Sequence, residues 1–206
     1  NQDQEEINRL KGFLLATREK KKEITFLDIK EYEEGQIIGE GSSSTVRIMI
    51  KKEKEKYAKK ELKNFTHEVL QQFLTEGEIL FKLRHPCIIR IVGFSYGDDT
   101  HAPWILLSLE PTSLEKAINN KELNKNQKNM ITTELVLGMR YIHRHNFLHR
   151  DLKPSNILLS KNRHVRISDF GLATNESLEE SQLKGVGTLR FMAPELFEER
   201  NKDTRY

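Results

Sequence analysis

A chain of 206 residues suits one large domain or two small ones. Its 36% hydrophobic residues, with ten Phe, five Tyr and one Trp, suffice for a core and argue against disorder. The net charge of +3 is too small by itself to argue for nucleic acid or a membrane surface as partner, and the interleaved lysines and glutamates read as a solvated face.

Residues 4–20 read as an amphipathic helix, with Ile7, Leu10, Leu14 and Leu15 on one side and Gln4, Glu6, Arg9, Lys11 and Arg18 elsewhere, although Gly12 weakens it. The charge run Arg18 to Glu23 follows. Residues 1–30 are therefore a flanking helix or linker, or a regulatory segment that docks on the domain after it. The chain opens on Asn1 and not on Met, as a processed or trimmed start would, and no secretory signal stands there. No apolar run approaches the about 20 residues of a membrane span, so no membrane insertion is expected.

Residues 36–60 have β character. Gln36-Ile37-Ile38 enters a glycine turn, and Val46, Ile48 and Ile50 alternate with Arg47 and Met49 as in a half-buried strand. Lys51 to Lys56 is a charged connection, and Tyr57-Ala58-Lys59-Lys60 resumes a strand. Leu70, Phe73, Leu74, Ile79, Leu80 and Leu83 give residues 67–84 helical spacing, ended by His85-Pro86. Cys87 is the sole cysteine, so no intramolecular disulfide forms. Set beside Pro86, Ile88 and Ile89, it reads as core filler, and a reducing, cytoplasmic compartment is expected. Short β-like runs follow at residues 88–94 and 104–109. Residues 126–145 form a long helix striped by Ile131, Leu135, Gly138, Met139 and Ile142. Beyond it stand only short elements at residues 147–148, 157–159 and 165–167. Strands with one helix, then helix with short hairpins, predict an α+β chain of two lobes.

Four separated motifs carry chemistry. The first is Gly39-Glu40-Gly41-Ser42-Ser43-Ser44-Thr45-Val46, after a predicted strand. Glycines there let backbone N–H groups approach a phosphate, though an ordinary hairpin turn would look the same. A strand follows rather than a helix, which excludes the dinucleotide fingerprint, and no Gly-Lys-Ser/Thr closes it as in a P-loop. The second is Ala58-Lys59-Lys60 with Glu76 on the next helix, an ion pair able to hold a lysine head against phosphate oxygens. The third is His149-Arg150-Asp151-Leu152-Lys153-Pro154-Ser155-Asn156. Its aspartate can orient a hydroxyl and accept its proton, its asparagine can offer Mg²⁺ an amide oxygen, and Lys153 can neutralise phosphoryl charge. The fourth is Asp169-Phe170-Gly171, 13 residues after Asn156. A zinc site at His143, His145 and His149 is the weaker reading, because His143 ends a predicted helix and His149 belongs to the third motif.

In this order and spacing the motifs resemble the eukaryotic protein kinase family, from about Tyr32 to the end of the chain. The resemblance implies a two-lobed fold: an antiparallel sheet plus helix at about 31–107, a hinge at about 108–113 and a mostly helical lobe from about 114. It implies Mg²⁺ and ATP, and serine or threonine hydroxyls of a protein substrate. By that likeness Lys60 and Glu76 form the phosphate-positioning pair, Asp151 is the catalytic aspartate assisted by Lys153, and Asn156 and Asp169 hold the metal. Gly39, Glu40, Gly41, Ser42, Ser43 and Ser44 would cover the phosphates. Val46, Ala58 and Leu158 would sandwich the adenine, with Ser108, Leu109 and Glu110 reading its edge and Leu107 guarding the back pocket. Leu80, His149 and Phe170 would stack as a hydrophobic column.

Lys153-Pro154-Ser155 and Gly187-Thr188 resemble serine/threonine rather than tyrosine kinases, and the Leu189 to Glu195 wording is similar to the tyrosine-kinase-like group. Thr188 is expected near Asp151 and Lys153 as a structural residue. Arg150 would grip a phosphate on the activation segment, placed at Ser177 or Ser181 by an upstream kinase, unless that segment is simply a solvated loop.

The chain departs from the family in two ways. Ser44 replaces the third glycine of the first motif, and the sequence given stops eleven residues after Glu195, before the helices that normally follow. The latter leads to the expectation of an incomplete helical lobe that folds poorly alone. It also leaves a second reading in play, a kinase-like module that binds nucleotide or a partner without transferring phosphate.

Overall fold

The computed structural model describes residues 31–41, 44–51, 55–63, 66–95, 102–175 and 186–194. The helix expected over 4–20, together with Ser42, Ser43, Ser177, Ser181 and Glu195, lies outside the described residues. The chain divides into two compact units, residues up to Gly77 with Arg90–Leu109, and Glu78–Ile89 with Glu110 onward.

The first unit is an antiparallel five-stranded sheet in the order β1-β2-β3-β5-β4, made by β1 (Tyr32–Glu40), β2 (Ser44–Lys51), β3 (Lys56–Leu62), β4 (Ile91–Ser95) and β5 (Trp104–Ser108). Side chains alternate across a sheet, so register sorts them by face. Val46, Lys60 and Ile105 stand opposite one another across β2, β3 and β5, as do Ile48, Ala58 and Leu107. The intervening rows are Arg47, Lys59 and Leu106, then Met49, Tyr57 and Ser108. Helix α1 (His67–Lys82) packs on the face of the first rows. Phe73 meets Phe94 at 6.2 Å between ring centroids, and a Cβ on Gly77 would lie 3.0 Å from that Phe94 ring. Leu70, Phe73 and Leu74, at the i, i+3, i+4 spacing read from the sequence, are buried.

The alternation read in β2 belongs to a half-buried strand, as expected, but its most buried residue stands on the other side. Val46, Ile48 and Ile50 are only half-buried, whereas Met49 is 1% exposed. Met49 clusters with Trp104 and Leu106 on the face away from α1, and the rings of Tyr32 and Tyr57 meet above it edge to face at 5.8 Å. The β-like run at 88–94 also starts late, at Ile91. The backbone before it is engaged elsewhere: Ile89 N–H donates to Ile167 O at 2.9 Å, and Ile167 N–H donates to Cys87 O at 2.7 Å.

The second unit carries, in chain order, β6 (Thr112–Ser113), α2 (Leu114–Asn119), α3 (Lys125–Arg144), β7 (Phe147–Leu148), β8 (Ile157–Leu159), β9 (Val165–Ile167) and β10 (Thr174–Asn175). Strands β6, β8 and β9 form one small sheet, and β7 pairs with β10. Asn124 and Gln127 form a reciprocal capping box that fixes where α3 begins. Ile131, Gly138 and Ile142 are its buried stripe. Gly138 is required by close approach, because a Cβ there would lie 2.7 Å from Ile167 Cδ1 and 3.1 Å from Cys87 Cβ. Cys87 is buried, as its apolar neighbours imply, and that burial pushes its thiol pKa up. The chain thus has the α+β composition expected of it. Among the described residues no helix is long and apolar enough to cross a membrane.

Candidate active site

In the first unit the β1–β2 hairpin brings Gly39, Glu40 and Gly41 against Ser44, Thr45 and Val46. Gly39 pairs with Val46, Glu40 pairs with Thr45, and Gly41 N–H donates to Ser44 O at 2.9 Å. Lys63 at the end of β3 braces the hairpin, donating to the Glu40 carboxylate at 2.5 Å and to Gly41 O at 3.3 Å. That bond and the Lys63 charge hold the Glu40 carboxyl below its ordinary range.

The consecutive lysines of β3 separate by face, as a two-residue period requires. Lys60 Nζ donates to Glu76 Oε2 at 2.6 Å, and Glu76 on α1 is 2% exposed. Lys59 points to the opposite face, where it pairs with Glu34 at 3.1 Å and Glu61 at 3.0 Å. Val46, the next residue on the α1 side of β2, is the cross-strand partner of Lys60. Ala58 stands between Ile48 and Leu107. After β5, Ser108 N–H donates to Arg90 O at 2.9 Å, and Leu109 is half-buried.

In the second unit Asp151 gathers most of the predicted polar residues. Its Oδ1 accepts from Thr188 N at 2.9 Å and from Thr188 Oγ1 at 2.7 Å. Its Oδ2 accepts from Asn156 Nδ2 at 3.0 Å and lies 2.7 Å from Lys153 Nζ. Lys153 also donates to Thr188 Oγ1 at 2.8 Å, so that hydroxyl accepts from the lysine and donates its own hydrogen bond to the carboxylate. Burial pushes the Asp151 carboxyl up, but the bonds and charge from Lys153 and Thr188 outweigh it and leave the pKa lowered. Asp151 is therefore an ionised, weak base at neutral pH.

Asn156 spends its amide nitrogen on Asp151, with a second bond to Asp151 O at 2.9 Å, which leaves Oδ1 as the atom available to a cation. The loop after β9 is tied to it, since Ser168 N and Ser168 Oγ both donate to Asn156 O at 2.9 Å. Asp169 follows at φ 64°, a left-handed conformation that aspartate tolerates better than most non-glycine residues. An amide oxygen and a carboxylate are the hard oxygen donors that Mg²⁺ prefers, so this pair fits that ion.

His149 stabilises the loop from beneath. It is 2% exposed, its ring meets Phe170 at 4.9 Å, and Leu80 and Phe170 of the same unit are fully buried. Burial drives its pKa down, so the ring is neutral. Nε2 faces Ser168 O at 3.0 Å and must carry the proton, while Nδ1 accepts Asp151 N–H at 3.3 Å. Leu158 on β8 is half-buried between Ser113 and Arg166, and Glu110 lies 3.8 Å from Arg166. The other histidines weighed with it are engaged differently: the His145 ring lies 4.2 Å from that of Tyr141 and its Nδ1 is 2.8 Å from Tyr141 O. Among the described residues no group of three or more His, Cys, Asp or Glu is placed to hold a metal.

Three structural details at residues named in the sequence are set by contacts that no local pattern gives. Gly187 adopts φ 127°, and a Cβ there would lie 2.5 Å from Arg150 O. Arg150 itself sits at φ 61° and donates from Nε to Leu172 O at 2.6 Å, a contact between distant positions that no local pattern announces. Lys59 is 5% exposed although it looks like a surface lysine in a lysine-rich stretch. The Gly-Thr dipeptide is the one available signal, and it points to Gly187 only when a tight turn is already suspected.

The family model described as the protein kinase domain matches residues 32–206. Three similar curated proteins are a probable serine/threonine-protein kinase mkcB of Dictyostelium discoideum, mitogen-activated protein kinase kinase kinase 3 of Arabidopsis thaliana and human 3-phosphoinositide-dependent protein kinase 1. The first is 30% identical, covering 85% of this chain and 24% of its own length. The second is 30% identical, with 85% and 32% covered, and the third is 32% identical, with 84% and 32% covered. This chain thus spans about a quarter to a third of the length of these relatives.

Proposed function

Because the chain belongs to the protein kinase domain family, we propose that it transfers the terminal phosphoryl group of ATP to serine or threonine hydroxyls of a protein substrate. The observation that carries the reading is the Asp151 cluster, with Asn156, Lys153 and Thr188 all within 3.0 Å of one buried carboxylate. Asp151 orients the incoming hydroxyl and accepts its proton late, which suits a carboxylate whose pKa is lowered and a reaction that places little demand on base strength. Lys153 offsets negative charge beside it, and Thr188 fixes the carboxylate plane. Lys60, held by Glu76, presents its ammonium to phosphate oxygens. Gly39, Glu40, Gly41, Ser42, Ser43 and Ser44 supply the flap over those oxygens; Val46, Ala58 and Leu158 take the base, and Leu107, Ser108, Leu109 and Glu110 line its edge. Asn156 and Asp169 would hold Mg²⁺, which when bound supplies positive charge against the spreading phosphoryl charge. A cytoplasmic site of action and an upstream activating kinase belong to the same proposal, with Arg150 as the group that would meet a phosphate.

The serine/threonine assignment rests on Lys153-Pro154-Ser155 and on the serine/threonine kinases among the relatives. Labelling of a mixed protein substrate with Mg–ATP, followed by analysis of the phosphoamino acids, tests it. Phosphoserine and phosphothreonine are the expected products. Label on tyrosine alone contradicts the substrate class, and nucleotide binding without any label supports the non-catalytic module instead.

A further inference from the structure

The glycine end of the β1–β2 hairpin has little of its own to hold it. Strand β1 lies at the edge of the sheet, and its register against β2 is interrupted between Glu34 and Ile37 and again between Ile37 and Gly39. Ile37 and Ile38 are 49% and 41% exposed, so apolar packing secures this stretch only weakly. A two-stranded ribbon is marginally stable by itself in water. Lys63, just after β3, supplies a link to it from the rest of the sheet. Two strand spacings, about 10 Å, separate β3 from β1. The Lys63 ammonium crosses that distance past β2 and donates both to the Glu40 carboxylate and to Gly41 O.

Register places this contact. Gly39, Val46, Lys60 and Ile105 form one cross-strand row, on the α1 side of the sheet. Glu40, Thr45, Glu61 and Trp104 form the next row, which belongs to the opposite face. Lys63 therefore grips the hairpin from the outer side and does not occupy the face shared with Lys60. The Lys63 hydrogen bond, and then its charge, hold the Glu40 carboxyl below its ordinary range, so the carboxylate is ionised at neutral pH. We propose that Lys63 is a positioning residue for the phosphate flap: by gripping Glu40 and Gly41 O it holds residues 39–41 ready for a nucleoside triphosphate, without touching the phosphates itself. This inference rests on the reading of residues 39–44 as that flap. The Lys63 and Glu40 side chains are 30% and 66% exposed, and pairs so exposed add little to overall stability. The latch acts locally, on the hairpin it holds, and its loss is felt in phosphate binding rather than in the melt.

Affinities of the full chain for Mg–ATP and for adenosine, measured side by side by calorimetry, test the latch. Lys63→Met should weaken Mg–ATP by roughly 2- to 5-fold. It should leave adenosine binding unchanged, since adenosine has no phosphate for the flap to meet. Lys63→Arg, which keeps the charge and the donors, should recover most of the loss. In a Glu40→Gln background, where the charge that Lys63 grips is gone, Lys63→Met should have little further effect. Unchanged Mg–ATP affinity in Lys63→Met would overturn the latch. Equal weakening of Mg–ATP and adenosine would overturn it too, by giving Lys63 a general structural role. So would an undiminished loss in the Glu40→Gln background, which would make Lys63 a direct attractor of phosphate. A wild-type chain whose phosphates add no affinity over adenosine would overturn the flap reading itself, and the latch with it.

Discussion

At the scale of single residues, the two lysines of β3 are chemically identical in sequence and opposite in role. Lys60 meets Glu76 at 2.6 Å on the α1 side, whereas Lys59 meets Glu34 and Glu61 on the other. Lys60→Met should lower phosphoryl transfer by roughly 100-fold or more, because an electrostatic contact at the developing charge is removed. Lys59→Met should leave turnover near the wild-type rate, since its ion pairs with Glu34 and Glu61 lie on the face away from Glu76. Steady-state kinetics of the two variants checks this, and equal losses would contradict the assignment of faces. His149 gives a pH prediction. Its folded pKa is lowered by burial, so below the unfolded value of about 6.5 the unfolded chain binds a proton that the native ring refuses. Stability is therefore unaffected by this group above that value and falls as the pH drops below it, by at most about 1.4 kcal/mol per pH unit. Chemical denaturation between pH 7.5 and 5 should show the decline, and His149→Phe should flatten it. That Lys60 is the lysine paired with Glu76 follows from motif position in the sequence; that Met49, and not Ile48, is the most buried residue of β2 does not, because apolar side chains stand on both faces of the strand.

At the scale of elements, long periodic segments are legible and short ones are not. The boundaries of α1 and α3 fall within about two residues of those read from apolar spacing, as expected where a buried stripe repeats over several turns. Helix α2 and strands β6 and β10 have six, two and two residues, too few for any period to show. They exist because tertiary contacts place them: Thr112 pairs with Leu159, and Thr174 pairs with Leu148. The loop at Gly187 belongs to this class. Its φ of 127° and its approach to Arg150 O exclude any side chain, yet it delivers Thr188 to Asp151. Gly187→Ala should cost about 1–3 kcal/mol of local strain. The loop relieves it by withdrawing Thr188, so kcat should fall at least about 10-fold while the melting of the sheet-bearing unit is little changed. Wild-type kcat in Gly187→Ala would show that the Thr188–Asp151 bonds are dispensable.

For the molecule as a whole, the motifs announce which polar residues gather at Asp151 more fully than which apolar residues pack together. Asp151, Lys153 and Asn156 lie within six positions of one loop, and the loop at Gly187 brings Thr188, 37 positions after Asp151, to the same carboxylate. The account stands or falls on Asp151 as the group that directs the hydroxyl, and one paired measurement tests it most directly. Phosphoryl transfer from Mg–ATP to protein and the affinity for nucleotide are measured together for the wild type and for Asp151→Asn. The account predicts transfer reduced by roughly 100-fold to 10,000-fold with nucleotide affinity nearly unchanged. Transfer by Asp151→Asn at the wild-type rate would contradict it.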